Sequence, residues 1–288
     1  MHRALNSILI VLTWRQLDTH AVKRSVRIWL VWLFRRLLAY SARPLSIGDG
    51  PVIVFAPHQD DETLGCGGVI ARKRNDGWPV HVVFLTDGSA SHPDHPRLSP
   101  DELRVIRNQE ARDSLKILGV ESCAIHFLDA TDGTLDHLAP AQREAMSRQI
   151  EELVEAVKPT KIYLPCRRDG STEHDAAFGL VCSVILRTQN RPVVWQYPVW
   201  SWWNPLLLLE HTLYSGGHYR LPTEDYHLLK MRAIACYRSQ TQPLPPWTDP
   251  AIPPELLQVF YEQNEFFFRY DLERDGASPA SRFNHTAV

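Results

Sequence analysis

No stretch of apolar residues in this 288-residue chain is long enough to span a bilayer. Residues 7–12 are apolar but brief, and no small-residue cleavage site follows them, which reads against a signal peptide. Residues 28–34 are apolar as well, but they end at Arg35-Arg36 and do not make a transmembrane helix. Cysteine is sparse: five residues, odd in number and with no C-x-x-C pair, point to buried free thiols in a reducing, cytoplasmic setting rather than to a disulfide framework. A positive excess is also missing. The net charge is −2, and residues beyond 44 carry −9, which excludes a nucleic-acid binder by charge. No internal repeat is found, which excludes a solenoid. Gly65-Cys66-Gly67-Gly68 lacks the G-x-G-x-x-G spacing of a phosphate loop and reads as close packing of a helix on a sheet.

What is present is ordinary in bulk and uneven in distribution. Hydrophobic residues at 44% and charged residues at 22% suit a globular chain that buries one substantial core. Residues 1–44 hold seven more positive than negative charges, with Asp18 the lone acid. With Trp29 and Trp32 in its apolar stripe, this segment reads equally as a basic interfacial helix and as a helix packed on the domain or on a second subunit.

From residue 51 strand and helix patterns alternate. Strands are expected at 51–57, 80–85, 124–128, 161–165 and 193–197, with helices at 62–76, about 100–118, 140–157 and 174–187 between them. That order predicts a Rossmann-like, three-layer α/β domain with a mostly parallel sheet, in which right-handed crossovers bring every strand's carboxyl end to one rim. A closing helix is expected at 255–270 and a frayed tail at 271–288, leaving a body of 45–270.

At that rim the first strand releases His58, Asp60, Asp61 and Glu62 within five residues. Carboxylates packed so closely repel one another unless a cation sits among them. His58 and Asp61, at i and i+3 where strand turns into helix, can face one ion. A catalytic zinc site needs three such ligands and an open position, and His174, on another polar loop leaving a strand, is the best third. Asp60 then remains as a base for the attacking water. Carboxylates near strand ends also bind magnesium, cap helices or pair with cations, and Glu62 reads equally as a first-turn residue favoured by the helix dipole. His81 and His126 fall inside strands as core or face residues. His92 and His95 read as solvated. Trp195, Trp200, Trp202 and Trp203 with Tyr197 suit sugar stacking, core packing or a subunit contact.

Ala56-Pro57-His58-Gln59-Asp60-Asp61-Glu62-Thr63-Leu64-Gly65-Cys66-Gly67-Gly68 resembles the signature of the PIG-L-like (LmbE-like) N-acetylglucosaminyl deacetylases. Leu85-Thr86-Asp87-Gly88, Arg107-Asn108-Gln109-Glu110-Ala111 and Tyr237-Arg238-Ser239-Gln240 extend the likeness in order, over about residues 50–242. The resemblance implies one Zn2+ held by His58, Asp61 and His174, with Asp60 as general base. By analogy, Arg107 and Asp132 hold sugar hydroxyls. Ser171-Thr172-Glu173-His174 departs from the family's His-Pro-Asp-His. The histidine that helps polarise the carbonyl in relatives is Ser171 here, a weaker donor at the substrate, so Arg167, Arg168, His211 and His218 become stand-in candidates.

The implied activity is removal of the acetyl group from an N-acetylated amino sugar, with release of acetate. A hydrolase of another amide conjugate and a catalytically silent sugar-binding protein are the alternatives. Magnesium-dependent phosphate chemistry would want more carboxylates and fewer imidazoles. The expected partner is a small-molecule or lipid-linked amino sugar. Residues 1–44 leave room for peripheral contact with the inner face of a membrane, and a homo-oligomer stays open.

Overall fold

The computed structural model describes residues 20–272, so residues 7–12 and the expected tail beyond Leu272 lie outside the described residues. Helix α1 (His20–Ser41) leads into a two-residue strand β1 (Arg43–Pro44). The alternating body follows: β2 (Val52–Ala56), α2 (Asp61–Asn75), β3 (Val80–Thr86), α3 (Pro100–Ile117), β4 (Ile125–Ala130), α4 (Pro140–Val157), β5 (Lys161–Pro165), α5 (Thr172–Ile185) and β6 (Val193–Tyr197). The chain then runs through a 3-10 turn (Trp200–Trp203), α6 (Pro205–Tyr214), β7 (His218–Pro222), α7 (His227–Ile234), α8 (Arg238–Thr241), α9 (Pro254–Phe260) and β8 (Asn264–Tyr270).

All eight strands form one sheet in the order β1-β7-β8-β6-β5-β2-β3-β4. Five of its seven pairings are parallel, the two exceptions being those made by β8, so the sheet is mostly parallel as expected. Strand β2 is buried throughout. Val52, Val54 and Ala56 face the layer of α2, α3 and α7, while Ile53 and Phe55 face α4 and α5. Pleat alternation in one apolar strand thus joins two cores into a three-layer α/β fold.

The order of the strands positions the site. From β2 the chain moves outward through β3 to β4, then returns to the other side of β2 for β5 and β6. The direction reverses between β2 and β5, and a crevice opens at the carboxyl ends of those two strands. His58 lies in the turn after β2 and His174 in the first turn of α5, after β5, so the two meet there.

Local chemistry sets the helices. Ser99 and Glu102 form a reciprocal capping box at the start of α3, with proline in its first turn. Buried Leu103, Arg107, Ala111, Ser114 and Leu115 then lie at helical spacing along one face. Helix α2 approaches the sheet so closely that a Cβ on Gly65 would come within 2.2 Å of the Tyr197 ring, and one on Gly68 within 2.4 Å of Thr223. The glycines there serve packing, as read from the sequence.

Two expectations change. Residues 255–270 are not one helix: α9 ends at Phe260, and β8 inserts antiparallel between β6 and β7. The apolar run 266–268 is a buried strand, which periodicity alone does not distinguish from a buried helix segment. His92 and His95 are buried rather than solvated, and their rings meet edge to face at 6.2 Å.

Helix α1 packs one face on the domain through Val31 and Leu38. The Arg35 guanidinium lies 4.8 Å over Trp202 and the Arg27 guanidinium 4.9 Å over Trp203. Its opposite face, with Trp29 and Trp32, is exposed.

Candidate active site

Strand β2 ends at Ala56, and Pro57 through Asp60 make the turn into α2. Asp60 sits in that turn at φ 146°, a conformation that costs a non-glycine residue about 1–3 kcal/mol and persists only where its surroundings hold it. They do so from two sides. Asp60 donates its backbone N–H to Glu62 at 3.0 Å, and Arg107 of α3 donates to the Gln59 carbonyl at 2.8 Å and to the Gly88 carbonyl at 3.2 Å. Gln59 ties the turn to β3 and α3 by donating to the Thr86 carbonyl and to Asn108.

The result is a compact set of donor atoms. Asp61 Oδ2 lies 3.3 Å from His58 Nδ1 and 3.3 Å from His174 Nε2. The tautomers follow from the other ring nitrogens. His174 Nδ1 lies 2.8 Å from the buried carboxylate of Asp169, to which it donates. Its Nε2, fully buried, faces Asp61 without a well-formed hydrogen bond and offers a lone pair once the ring is neutral. His58 Nε2 donates to Glu173 at 2.6 Å and faces Asp132 at 3.2 Å, so in the neutral ring Nδ1, which faces Asp61, carries the lone pair. With both rings neutral, two imidazole lone pairs would converge on one carboxylate oxygen, and all three atoms are in reach of a single ion. These residues fit a divalent metal: three N/O ligands, with outer carboxylates orienting both histidines. His58, Asp132 and Glu173 also group closely. Donation from His58 Nε2 accounts for that group without a cation.

Without an ion, the surrounding carboxylates hold both rings protonated. Burial pulls the His174 pKa down, but Asp61 and Asp169 outweigh it and raise it to about 9. Burial likewise opposes protonation of His58, and bonds to Asp132, Asp61 and Glu173 raise its pKa well above the usual value. Burial alone would push Asp61 up, yet the two imidazoles hold it far below the carboxylate range. Asp60 goes the other way. Burial raises it to about 8 despite the opposing charge of Arg107, whose guanidinium lies 3.4 Å away. A cation beside it would favour its ionised form.

His58, Asp60, Asp61, Arg107 and Asp132 all line one cavity of about 250 Å³. Ser171 does not. It caps α5, its hydroxyl accepting from the His174 N–H. Of the stand-in donors, Arg168 pairs with Glu210, His211 packs on Phe268 and His218 meets Ser41; none of them, nor Arg167, lines the cavity. Of the aromatic stretch only Trp200 reaches it. Sequence reasoning overlooked Asp169 and Glu173, which orient the two histidines, and the apolar wall of Trp200, Ile252, Leu256 and Phe260. Asp169 did leave a signal, standing five residues before His174 in the same polar loop.

Residues 53–185 match the family model described as PIG-L, GlcNAc-PI de-N-acetylase. The chain carries a PIG-L family domain. A diacetylchitobiose deacetylase of Thermococcus kodakarensis is 35% identical over 96 residues, which cover 33% of this chain and only 35% of that protein. Among solved structures, the N,N'-diacetylchitobiose deacetylase of Pyrococcus horikoshii superposes with a TM-score of 0.60 at 19% identity, covering 92% of this chain and 98% of that one. GalB, a 4-carboxy-2-hydroxymuconate hydratase of Pseudomonas putida, superposes at 0.55 with 17% identity over 74% of this chain and 83% of its own. The fold therefore hosts more than one reaction, and chemistry has to be argued from the site.

The PIG-L domain contains His58, Asp60, Asp61, Arg107, Asp132 and His174. Trp200, Gln240, Ile252, Leu256 and Phe260, on the opposite wall of the cavity, all lie beyond the matched residues. The residues that could hold an ion belong to the matched region, and much of the rest of the cavity lining does not.

Proposed function

We propose that this protein is a zinc-dependent hydrolase that removes the acetyl group from an N-acetylated amino sugar and releases acetate. His58 Nδ1, Asp61 Oδ2 and His174 Nε2 would hold one Zn2+. Bound there, the ion would polarise the amide carbonyl and bring the pKa of a water toward about 7. Asp60, on the cavity wall beside these ligands, takes a proton from the attacking water and returns it to the departing amine, a poor leaving group unless protonated. Arg107 holds the Asp60 turn and favours the ionised carboxylate. Arg107 and Ser91 offer donors to sugar hydroxyls. Asp132 has one oxygen on His58 and the other on the Ala90 N–H, so its part is to orient His58 as much as to meet substrate.

One observation carries the reading: a buried, unpartnered imidazole nitrogen on His174 faces a carboxylate, with a strained second carboxylate next to it on a cavity. A silent sugar binder has no use for Asp60 held in that conformation. Hydrolysis of a different amide conjugate remains the alternative, favoured by the apolar wall of Trp200, Ile252, Leu256 and Phe260, which suits a substrate with an apolar part. Five free thiols support a reducing, cytoplasmic setting. The test is acetate release from a panel of N-acetylglucosamine conjugates, with zinc content measured on the same preparation. Full zinc occupancy with no acetate from any conjugate would overturn the substrate assignment.

A further inference from the structure

Helix α1 buries one face on the domain and exposes Ile28, Trp29, Trp32, Leu37 and Tyr40 on the other. Helix α6 packs against α1 and exposes Leu206, Leu209 and Leu213 at spacings of three and four. Two adjacent helices thus present large apolar side chains outward, Trp29 at 57% and Leu213 at 65% exposure. A cluster of that kind marks an interaction surface rather than scattered exposed residues.

Its charge says what it meets. Helix α1 contains no acidic residue. Arg36 lies 5.1 Å over the Trp32 ring, and among the described residues neither Arg36 nor Arg43 makes an ion pair. The acid of α6, Glu210, is taken by Arg168. The surface is therefore apolar and basic with no exposed free acid on either helix. Paired with a second copy of itself across a two-fold axis, it would set Arg36 and Arg43 against like charges. Anionic lipid supplies both an apolar interior and a negative rim, and tryptophan, tyrosine and arginine are the residues that settle at that boundary.

We propose that the outer faces of α1 and α6 dock this protein onto the surface of an anionic bilayer. No helix among the described residues is long and apolar enough to cross a membrane, so the contact is peripheral. Two elements of the cavity wall are joined to this surface. Arg24 of α1 pairs with Glu255 of α9, whose Leu256 and Phe260 line the cavity. The turn that carries Trp200 to the cavity runs directly into α6. Docking places the mouth beside the lipid headgroups, where a substrate carried in the bilayer would be in reach. The docking itself does not depend on the deacetylase reading.

The full-length chain should sediment with phosphatidylcholine vesicles containing phosphatidylglycerol at low salt. Pure phosphatidylcholine, or salt of about 0.5 M, should reduce the bound fraction several-fold. Trp29→Ala with Trp32→Ala, Leu206→Ser with Leu213→Ser, and Arg36→Glu with Arg43→Glu should each lower partitioning about tenfold or more, with circular dichroism unchanged. Val105→Ser, at an exposed apolar position outside the two helices, should not. Three results would overturn the proposal. One is a folded chain that ignores anionic vesicles at low salt. Another is binding that survives all three double variants, which would move the contact to another surface such as residues 1–19. The third is a concentration-dependent dimer, broken by those variants, in a chain that binds no vesicle.

Discussion

Helix α2 runs past two buried polar clusters that burial alone does not tell apart. At its start, His58, Asp60, Asp61 and His174 crowd the rim. Less than two turns on, Lys230 bonds Glu265 at 2.7 Å and the Leu64 carbonyl at 2.8 Å, while Glu265 accepts from the N–H groups of Gly68 at 2.6 Å and Val69 at 3.0 Å. Both clusters hold acid and base out of water. In the second, the ammonium and both carboxylate oxygens are partnered within the protein, at a helix whose glycines allow α7 and β8 to come close. In the first, a buried ring nitrogen of His174 faces Asp61 without a well-formed hydrogen bond, and the Asp60 carboxylate is held at an unfavourable dihedral angle. Burial and charge mark a polar cluster. What distinguishes a site from a brace is whether its bonding capacity is used up.

Substitutions should separate the two. Asp60→Asn keeps shape and tolerates the positive φ, but cannot accept a proton. Turnover should fall about 10²–10⁴-fold while zinc content and the unfolding midpoint stay put. Near-normal turnover in that variant would remove Asp60 as the base. Glu265→Ala should do the reverse. It strands a buried ammonium and two helix N–H groups, so stability should fall by about 3–5 kcal/mol in denaturant titration, with zinc still bound by whatever folds. Adding Lys230→Met should recover part of that loss, because the uncompensated charge goes with it. A double variant no better than the single would mean that Glu265 acts through the helix backbone alone.

The same contrast explains how much could be read from the residues alone. The rim was legible because each of its strands stands alone as an apolar run that stops at a polar loop. His58, Asp61 and His174 then follow from residue type and the topological rule. The brace was not legible. Lys230 and Glu265 meet only because β8 inserts between β6 and β7, and nothing in 255–270 distinguishes a strand from the tail of a helix. Ser171 misled for a related reason. The family resemblance sets it where relatives have a histidine, whereas the helix it begins uses its hydroxyl as a cap. The apolar cavity wall comes from the same C-terminal region, whose helices are short, with β-strands among them that carry no clear periodic signal.

Asp169 tests the contrast because it belongs to both classes. Its carboxylate orients His174, yet it also accepts from the backbone N–H groups of Val199, Trp200 and Ser201 and from the Ser201 hydroxyl. Asp169→Asn leaves a single acceptor oxygen for these donors. Zinc affinity should fall about 10–100-fold, as for other outer-shell partners of metal-bound histidines, and the unfolding midpoint should fall with it. A variant that lost only stability would show that His174 needs no orienting carboxylate.

The remaining effect is one of pH, and it also falls on the rim alone. In the metal-free chain both histidines have raised pKa values, that of His174 reaching about 9, so near pH 7 both carry a proton that an incoming cation must displace. Affinity for zinc should therefore rise with pH, by at most about tenfold per unit for each histidine, and level off once both rings are neutral. Calorimetry in two buffers of different ionisation enthalpy counts the released protons directly. The sign for stability is opposite. A histidine whose pKa is raised on folding stabilises the metal-free chain fully below its unfolded value near 6.5, and that contribution disappears as pH rises through about 9. The gap in unfolding midpoint between zinc-loaded and chelator-treated protein should thus widen steadily from pH 6.5 to 9. A gap that stayed constant, with no protons released on binding, would mean that Asp61 does not hold the two imidazoles charged and that the ion sits elsewhere.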